Sequence, residues 1–258
     1  MPEGDTIHRT ANRLRDALVG KEVVRFDAPR AVGRPPAPGT RVDAVEAVGK
    51  HLLIRFADGV TLRTHMRMTG SWHLYRAGQR WQKPPWLARA VVEVDGWVAV
   101  CFSAPVVELD RRPGVSLAHL GPDLTRADIT DAEITSAVER METRAESSDE
   151  IGVVLLDQRV AAGVGNVYKS EVLFACGVDP FTPVGALAVA ARRRLLTTAS
   201  RLLRASVAAT AGARPTVPGG LAVYGRAGQP CRRCGTPIRS ALQGPQPRTT
   251  YWCPTCQR

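Results

Sequence analysis

The first three residues of the chain, Met1-Pro2-Glu3, could place a reactive amine beside a carboxylate. If Met1 is removed, the secondary amine of Pro2 becomes terminal and can attack an electrophilic carbon to form a Schiff base, provided that it is unprotonated. An α-amino group titrates near about 8, so a useful fraction is unprotonated at neutral pH. Glu3 follows that amine and can transfer protons. An ordinary solvated terminus is the alternative, and with Met1 retained the Pro2 nitrogen is an unreactive amide.

Two C-x-x-C pairs near the end of the chain predict a structural zinc site. Cys231 and Cys234 form the first pair, Cys253 and Cys256 form the second, and 18 residues separate them. This spacing is typical of a tetrahedral site for one Zn2+ ion. Two disulfides are the alternative, but they would require an export signal, which we do not find. Because four thiolates leave no open position for water, we expect the metal to hold structure rather than to take part in catalysis.

A glycine turn, Gly163-Val164-Gly165-Asn166, precedes a predicted helix. Glycines let the backbone approach a phosphate, and the N-terminus of the following helix offers N–H groups to it. A dinucleotide-binding fingerprint would require a third glycine at the position of Tyr168 and a preceding parallel strand. We therefore expect no nucleotide cofactor. Plain packing between helices is the alternative to a phosphate site.

The net charge of +11 predicts a polyanionic partner. No acidic residue follows Asp179, whereas twelve arginines do: Arg192, Arg193, Arg194, Arg201, Arg204, Arg214, Arg226, Arg232, Arg233, Arg239, Arg248 and Arg258. Nucleic acid is the expected partner, and a membrane surface is the weaker alternative because no aromatic-rich amphipathic stripe accompanies the charge. No apolar run is long enough to span a bilayer, and residues 1–18 do not resemble a signal peptide, so we expect a cytoplasmic protein.

The elements that must position these residues change from β to helical along the chain. A first helix, capped by Asp5 or Thr6, is predicted to end at Gly20. Its apolar face is predicted to consist of Ile7, Ala11, Leu14 and Leu18. From Lys21 to about Leu109, short alternating runs predict an antiparallel β-sandwich. Helices are predicted at 131–142, 152–158, 164–176 and 184–209, with loops at 111–123 and 213–230. A hairpin carrying the cysteine pairs completes an α+β fold.

Several motifs resemble those of the formamidopyrimidine-DNA glycosylase/endonuclease VIII family. They are Met1-Pro2-Glu3-Gly4-Asp5-Thr6, Gly49-Lys50-His51, Leu155-Leu156-Asp157-Gln158 running into Gly163-Val164-Gly165-Asn166-Val167-Tyr168, and Tyr251-Trp252-Cys253-Pro254-Thr255-Cys256-Gln257. They cover essentially the whole chain in family order, and the first is more similar to the endonuclease VIII branch, particularly its actinobacterial members. The resemblance implies an N-terminal catalytic β-sandwich with flanking helices (1–115), a helix–two-turn–helix DNA-binding domain (125–212) and a four-cysteine zinc finger (222–258).

The same resemblance implies a catalytic group at the start of the chain. Pro2 matches the nucleophile that attacks C1′ of the damaged nucleotide, and Glu3 matches the acid/base beside it. Lys50 matches a lysine that contacts phosphate and assists catalysis, with a solvated turn lysine as the alternative.

Further positions match DNA-binding residues of the family. Asn166 matches a phosphate-binding asparagine, and Lys169 is expected to add charge there. Glu171 lies where endonuclease VIII members also carry a glutamate, which either acts in chemistry or supports the site. Arg248 matches the zinc-finger arginine that grips phosphates flanking the lesion, and one more basic residue in a basic region is the alternative.

The segment from His65 to Gly70 resembles the wedge loop of the family. A base extracted from the duplex leaves a space that a side chain must fill, and we expect Met68 to fill it, with Arg67 or Met66 as helpers. Formamidopyrimidine-type members carry a further gap-filling Pro-Arg-Arg-Phe segment where this chain has Pro105-Val106-Val107-Glu108. That departure favours the endonuclease VIII branch.

Together these residues imply a bifunctional DNA glycosylase/AP lyase of base-excision repair that removes oxidised bases, with pyrimidines as the expected lesions. A Schiff base on Pro2 followed by β,δ-elimination requires no redox cofactor or catalytic metal. The alternatives are an oxidised-purine glycosylase, a lesion-binding protein without catalysis, and an RNA-associated zinc module. The expected partner is damaged DNA rather than a membrane, bound by a monomer associated with the nucleoid.

Overall fold

The computed structural model describes residues 2–111, 117–209, 217 and 219–258 and divides the chain into two units. Unit 1 comprises Met1–Ala118, and unit 2 comprises His119–Arg258. Three parts of the predictions lie outside the described residues: Met1, whose removal would make Pro2 terminal, part of the predicted 111–123 loop and part of the predicted 213–230 loop. Among the described helices, none combines the length and the apolar character that crossing a membrane requires.

Unit 1 is built around two antiparallel four-stranded sheets. Its strands are β1 (Val23–Asp27), β2 (Val42–Val48), β3 (His51–Phe56), β4 (Thr61–His65), β5 (Ser71–Arg76), β6 (Ala88–Val94), β7 (Trp97–Phe102) and β8 (Val106–Asp110). The strand orders are β1-β6-β7-β5 and β2-β3-β4-β8. Apolar residues such as Leu52, Ile54 and Leu62 are fully buried in one cluster that both sheets share. The predicted β-sandwich is confirmed.

The first helix, α1 (Gly4–Leu18), buries the predicted apolar face of Ile7, Ala11, Leu14 and Leu18. Its start differs from the prediction. The helix begins at Gly4 because the Glu3 carbonyl already accepts from the Ile7 N–H at 3.1 Å. The carboxylate of Asp5 bonds its neighbour, the Thr6 N–H, at 2.7 Å, so neither predicted residue is the N-cap.

Helix α1 runs antiparallel to β2. The N–H of Gly20, just after the helix, donates to the Val42 carbonyl at the start of the strand. One turn back, the Arg15 guanidinium donates to the Val45 carbonyl further along it, at 3.0 and 2.8 Å. The beginning of α1 therefore points toward the end of β2, where the chain turns into β3.

Unit 2 contains four α-helices within the described residues, followed by a hairpin. They are α2 (Asp131–Arg144), α3 (Ile151–Val154), α4 (Asn166–Cys176) and α5 (Val189–Ala208), and the hairpin strands are β9 (Arg239–Gln243) and β10 (Arg248–Trp252). The predicted helix 152–158 is shorter because Asp157 accepts the Arg159 N–H at 2.9 Å in a side-chain turn that competes with helix. The predicted helix 184–209 divides into a short 3-10 helix, Val184–Ala186, and α5.

Candidate active site and nucleic-acid interface

The candidate nucleophile and its neighbouring acid lie at the start of α1. Pro2 is partly buried and Glu3 is 2% exposed. Glu3 is the N-cap residue, yet its side chain makes no capping bond to the helix. Its carboxylate is therefore held near the positive end of the helix dipole, where negative charge is favoured, without being used as a cap.

Lys50 lies in the two-residue turn between β2 and β3, as predicted. Gly49 supplies the left-handed backbone of this turn, with φ of 57°. The turn is at the end of the hairpin toward which the start of α1 points. The fold therefore brings Pro2, Glu3 and Lys50 to the same end of unit 1.

His65, at the end of β4, joins this group and was not predicted as a site residue. It pairs with His51 across the β3–β4 ladder, with ring centroids 4.6 Å apart. Burial, with the positive charges of Lys50, Arg67 and Arg63, lowers the pKa of His65 to about 4. At neutral pH its Nδ1 accepts from the Arg67 N–H at 3.1 Å. His51 belongs to the Gly49-Lys50-His51 motif, and His65 begins the wedge-loop segment. Only the register of the two strands shows that the two rings lie opposite each other.

The remaining residues of the wedge loop, 66–70, follow His65 directly. Met68 is 61% exposed, as a side chain that enters DNA requires, whereas Met66 is 3% exposed and belongs to the sandwich core. Met66 therefore cannot help to fill the gap without unpacking that core. Arg67 is exposed and has a left-handed backbone, with φ of 43°. Gly70 is required sterically, because a Cβ atom there would lie 2.7 Å from the Met66 carbonyl oxygen.

The glycine turn of unit 2 opens onto α4. Gly163 has φ of 105°, and a Cβ atom there would lie 2.6 Å from the Thr125 hydroxyl, so packing alone accounts for this glycine. Gly165 is the N-cap of α4 and offers no capping side chain to the helix. Asn166 begins the helix, is 7% exposed, and its Nδ2 donates to the Thr249 carbonyl at 2.7 Å. The candidate phosphate site at this helix start is thus tied to the hairpin.

Arg248 occupies the first position of β10 and is exposed. It immediately precedes Thr249, the residue that Asn166 bonds. Unit 2 therefore brings two predicted phosphate ligands, Asn166 and Arg248, to neighbouring segments.

Lys169 is placed differently from the expectation that it adds charge at a phosphate site. Its side chain is 1% exposed, and its Nζ donates to the Thr250 hydroxyl at 2.6 Å. That hydroxyl donates in turn to Gln243 Oε1 at 2.7 Å, and Gln243 Nε2 donates to Glu150 at 2.9 Å. The lysine belongs to a buried polar chain that joins α4 to both strands of the hairpin.

Glu171 accepts three backbone hydrogen bonds from consecutive residues. Its carboxylate, 3% exposed, receives the N–H groups of Ala222, Val223 and Tyr224 at 2.9, 3.0 and 2.8 Å. Sequence spacing could not identify this anchor, since about fifty residues separate the partners. Of the two roles considered for Glu171, this geometry favours support of the site.

The four cysteines of the hairpin meet in one place. Their sulfur atoms all lie within 4.8 Å of one another, with Cys231 to Cys256 at 3.9 Å and Cys234 to Cys253 at 3.4 Å. A Zn2+ ion about 2.3 Å from each of four sulfurs requires sulfur–sulfur distances of about 3.8 Å. The residues therefore fit one tetrahedral zinc ion, and the predicted structural zinc site is confirmed.

Three family models match consecutive parts of the chain. They describe the formamidopyrimidine-DNA glycosylase N-terminal domain (residues 1–105), the formamidopyrimidine-DNA glycosylase H2TH domain (residues 120–216) and the zinc finger found in FPG and IleRS (residues 228–258). Among solved structures, Lactococcus lactis formamidopyrimidine-DNA glycosylase bound to DNA with an AP site superposes with a TM-score of 0.84. The match covers 100% of both chains at 22% identity, which shows the common fold.

Curated relatives match over the full length of the chain. A probable endonuclease 8 2 of Streptomyces coelicolor is 44% identical over 100% of this chain and 94% of the relative. The DNA-(apurinic or apyrimidinic site) lyase Nei2 of Mycolicibacterium smegmatis is 39% identical, with 100% and 99% covered. A formamidopyrimidine-DNA glycosylase of Gloeobacter violaceus is 32% identical, with 100% and 97% covered. With its sandwich, its H2TH helices and its four-cysteine hairpin, the chain belongs to the formamidopyrimidine-DNA glycosylase/endonuclease VIII family.

Proposed function

We propose that this chain excises oxidised pyrimidines from DNA through a Schiff base on Pro2 and then cleaves the strand by β,δ-elimination. The general activity follows from the family: the chain is a DNA glycosylase with AP lyase activity that acts in base-excision repair. The observation that carries the proposal is the arrangement of unit 1, in which Pro2 and the buried Glu3 directly precede α1 at the same end as the turn of Lys50.

The proposed chemistry begins with loss of the base. The C1′–N bond breaks with its electrons going to the base, and the Pro2 amine forms a new bond to C1′. Opening of the sugar gives an iminium ion, which acidifies the C2′ proton. Removal of that proton expels the 3′-phosphate, and removal of the C4′ proton expels the 5′-phosphate. Water then hydrolyses the iminium bond, which releases the sugar remnant and restores the Pro2 amine. Glu3 moves the protons that these steps require.

Phosphate contacts in unit 1 are assigned to Lys50 and the side chains around it. The region is rich in positive charge: after burial, which is the largest cause, the charges of Lys50, Arg67 and Arg63 lower the pKa of His65. Such a region favours a phosphodiester over another cation. In this proposal Met68 enters the space left by the extracted base, because it is the exposed apolar side chain of the wedge loop.

Phosphate contacts in unit 2 are assigned to Asn166, the start of α4 and Arg248. The N–H groups at a helix start and an arginine are both suited to a phosphate. Lys169 and Glu171 receive supporting roles, because both side chains are almost fully buried and bonded to segments near these ligands. This assignment replaces the direct phosphate contact expected of Lys169.

Oxidised pyrimidines are the proposed lesions for two reasons. The chain lacks the Pro-Arg-Arg-Phe segment and carries Pro105-Val106-Val107-Glu108 instead. In addition, relatives named endonuclease 8 2 or Nei2 are 39–44% identical, compared with 32–34% for the relatives named formamidopyrimidine-DNA glycosylase.

We propose the three domains that the sequence predicts: a catalytic β-sandwich (1–115), a helix–two-turn–helix domain (125–212) and a zinc finger (222–258). The first corresponds to unit 1, and the other two lie within unit 2. We infer that the chain acts on damaged DNA as a nucleoid-associated monomer without a nucleotide cofactor. The packing of Gly163 against Thr125 supports the last inference, since it accounts for the glycine without a ligand.

A parallel assay on matched duplexes tests the lesion class. The duplexes carry thymine glycol, 8-oxoguanine opposite cytosine, or an abasic site, and single-turnover rates are measured for each. We expect the thymine glycol rate to exceed the 8-oxoguanine rate by about tenfold or more. The abasic site should be cut on both sides, which leaves a one-nucleotide gap with a phosphate at each end. Faster excision of 8-oxoguanine would contradict the proposal and favour the oxidised-purine alternative.

Glu3→Gln should slow base removal in the same assay, because Glu3 is the proposed proton carrier. Glu139→Gln, which changes an exposed carboxylate on α2, is the matched control.

A further inference from the structure

Two adjoining cavities of unit 1 share a pair of arginines. One, of about 290 Å3, is lined by Arg30, Arg89, Ser103 and Pro105, among others. The other, of about 220 Å3, is lined by the same two arginines together with Trp86, which is 76% exposed. We call the combined feature the arginine groove. Neither the proposed chemistry nor the phosphate contacts assigned above use it.

The arginine groove begins where the wedge loop ends. The Thr69 hydroxyl of the wedge loop donates to the Ser103 carbonyl at 2.9 Å. A Cβ atom on Gly70 would lie 3.0 Å from Ala104 Cα, so the two loops are in close contact. Ser103 has φ of 52°, an unusual conformation for a non-glycine residue, which the wedge-loop contact helps to hold.

Strand order places the groove on the far side of the wedge loop from Lys50. In the β2-β3-β4-β8 sheet, His65 pairs with His51 on one side and with Val106 on the other. Lys50 immediately precedes His51, and the β7–β8 turn at 103–105 immediately precedes Val106. The wedge loop, which leaves β4 after His65, therefore lies between the Lys50 turn and the groove.

Both arginines are available to an anion. Within the described residues neither guanidinium forms an ion pair, and Arg89 donates only to the carbonyls of Trp86 and Ala88, at 3.0 Å each. One carboxylate, Asp27, also lines the cavity that includes Trp86, but it pairs with Arg25 at 3.8 Å. The segment carrying Arg30 is held beside β8, since a Cβ atom on Gly33 would lie 3.1 Å from Leu109 Cβ.

We propose that the arginine groove binds phosphates of the DNA strand opposite the lesion. The inference rests on the proposed function, in which Pro2 and Lys50 hold the lesion strand and Met68 enters the base stack. A wedge between the strands has the lesion strand on one side and the opposite strand on the other, and the groove lies on that other side. Arg30 and Arg89 bind the phosphates, and the exposed face of Trp86 offers an apolar surface to a deoxyribose.

The test compares binding to duplex and single-stranded DNA carrying the same uncleavable tetrahydrofuran site. Arg30→Ala and Arg89→Ala should each weaken duplex binding about fivefold and lower the salt slope of log affinity by about 0.9. Binding to the single strand should stay within about twofold of the parent chain. Arg41→Ala is the matched control, because Arg41 is exposed on unit 1 and already paired with Asp43 at 3.0 Å. Thermal unfolding of each variant checks that the fold is retained.

Two results would overturn the inference. Equal losses on both DNAs would assign the arginines to the lesion strand, and unchanged duplex binding would place the groove outside the bound region. Binding to a tetrahydrofuran site requires no catalysis. The excision assay can therefore disprove the proposed lesion class even if the arginine variants weaken duplex binding and leave single-strand binding unchanged. The two failures are thus distinguishable.

Discussion

His65 is held in its neutral form by its surroundings. Burial, followed by the charges of Lys50, Arg67 and Arg63, lowers its pKa from 6.5 to about 4. A neutral ring adds no charge at neutral pH, yet protonation becomes more favourable once phosphates enter the region.

The depressed pKa of His65 predicts acid sensitivity of unit 1. Between pH 6.5 and about 4 the unfolded chain binds a proton at this site and the folded chain does not, so stability falls as pH falls through that window. Because the ring is only partly buried and solvent screens its interactions, we expect a loss of about 1 kcal/mol at pH 5. Urea unfolding at pH 7 and pH 5 measures it, with His65→Gln as the variant that lacks this contribution. An NMR titration of the His65 ring near pH 6.5 would contradict the assignment.

At the residue scale, the sequence identifies residues whose role depends on their own side-chain type. It does not identify residues whose role depends on what surrounds them in the fold. The four cysteines of the zinc site could be predicted from motif and spacing. The roles of Pro2 and Lys50 stay predictions. The burial of Lys169 and Met66 could not, because a helix position or a strand end does not reveal what packs on it. His65 became evident only through its cross-strand partner.

At the scale of elements, α4 connects the parts of unit 2 that carry the proposed phosphate ligands. Asn166 bonds the hairpin backbone, Lys169 bonds a hairpin side chain, and Glu171 bonds the segment that leads into the zinc finger. Each of these three side chains bonds another segment of unit 2. These bonds explain why polar residues occupy buried positions of α4 where apolar residues would otherwise pack. A buried polar chain of this kind stabilises the fold only if its members stay bonded.

Glu171→Gln is predicted to loosen the segment around Val223. The carboxylate accepts three N–H bonds, whereas an amide offers one acceptor oxygen, so at least one backbone donor loses a charge-assisted bond worth about 1.5–3 kcal/mol. Amide hydrogen exchange at Ala222, Val223 and Tyr224 should become faster by tenfold or more. Glu139→Gln should leave exchange there unchanged. If Glu171→Gln also leaves it unchanged, the anchor role is wrong.

The elements themselves could be predicted in type but less well in length. Alternating runs gave the sandwich, and apolar spacing gave the face of α1. The predicted helix after Gly152 ends early because Asp157 folds back onto a neighbouring N–H, a local competition that apolar periodicity does not register. The start of α1 depends on the Glu3 carbonyl rather than on a capping side chain.

At the scale of the whole molecule, the two units have separate interiors. The cluster around Leu52 and Ile54 belongs to unit 1, and the cluster around Leu195 and Leu203 belongs to unit 2. The zinc hairpin has a smaller cluster that includes Phe174, Val223 and two of the cysteines. A cluster of that size requires its metal, because structural zinc supplies folding free energy locally.

Loss of zinc is therefore predicted to affect one unit only. Cys253→Ser should lose the metal and disorder the hairpin, with a drop in DNA affinity because Arg248 lies in it, while the thermal unfolding of unit 1 stays unchanged. Metal analysis measures the zinc content, circular dichroism measures the disorder and the thermal unfolding, and a binding titration measures the DNA affinity. Cys176→Ser, a cysteine outside the cluster, should retain one zinc per chain. An intact parent chain without zinc would refute the site.

The most direct measurement is borohydride trapping on a duplex with one abasic site, using the chain with Pro2 at its terminus and the same chain extended by one residue. The first should give a covalent protein–DNA adduct that peptide mapping assigns to Pro2, because only a terminal amine can form the Schiff base. The extended chain should give none while binding the duplex with similar affinity. An adduct that persists in the extended chain, mapped to Lys50 or elsewhere, would contradict the central claim.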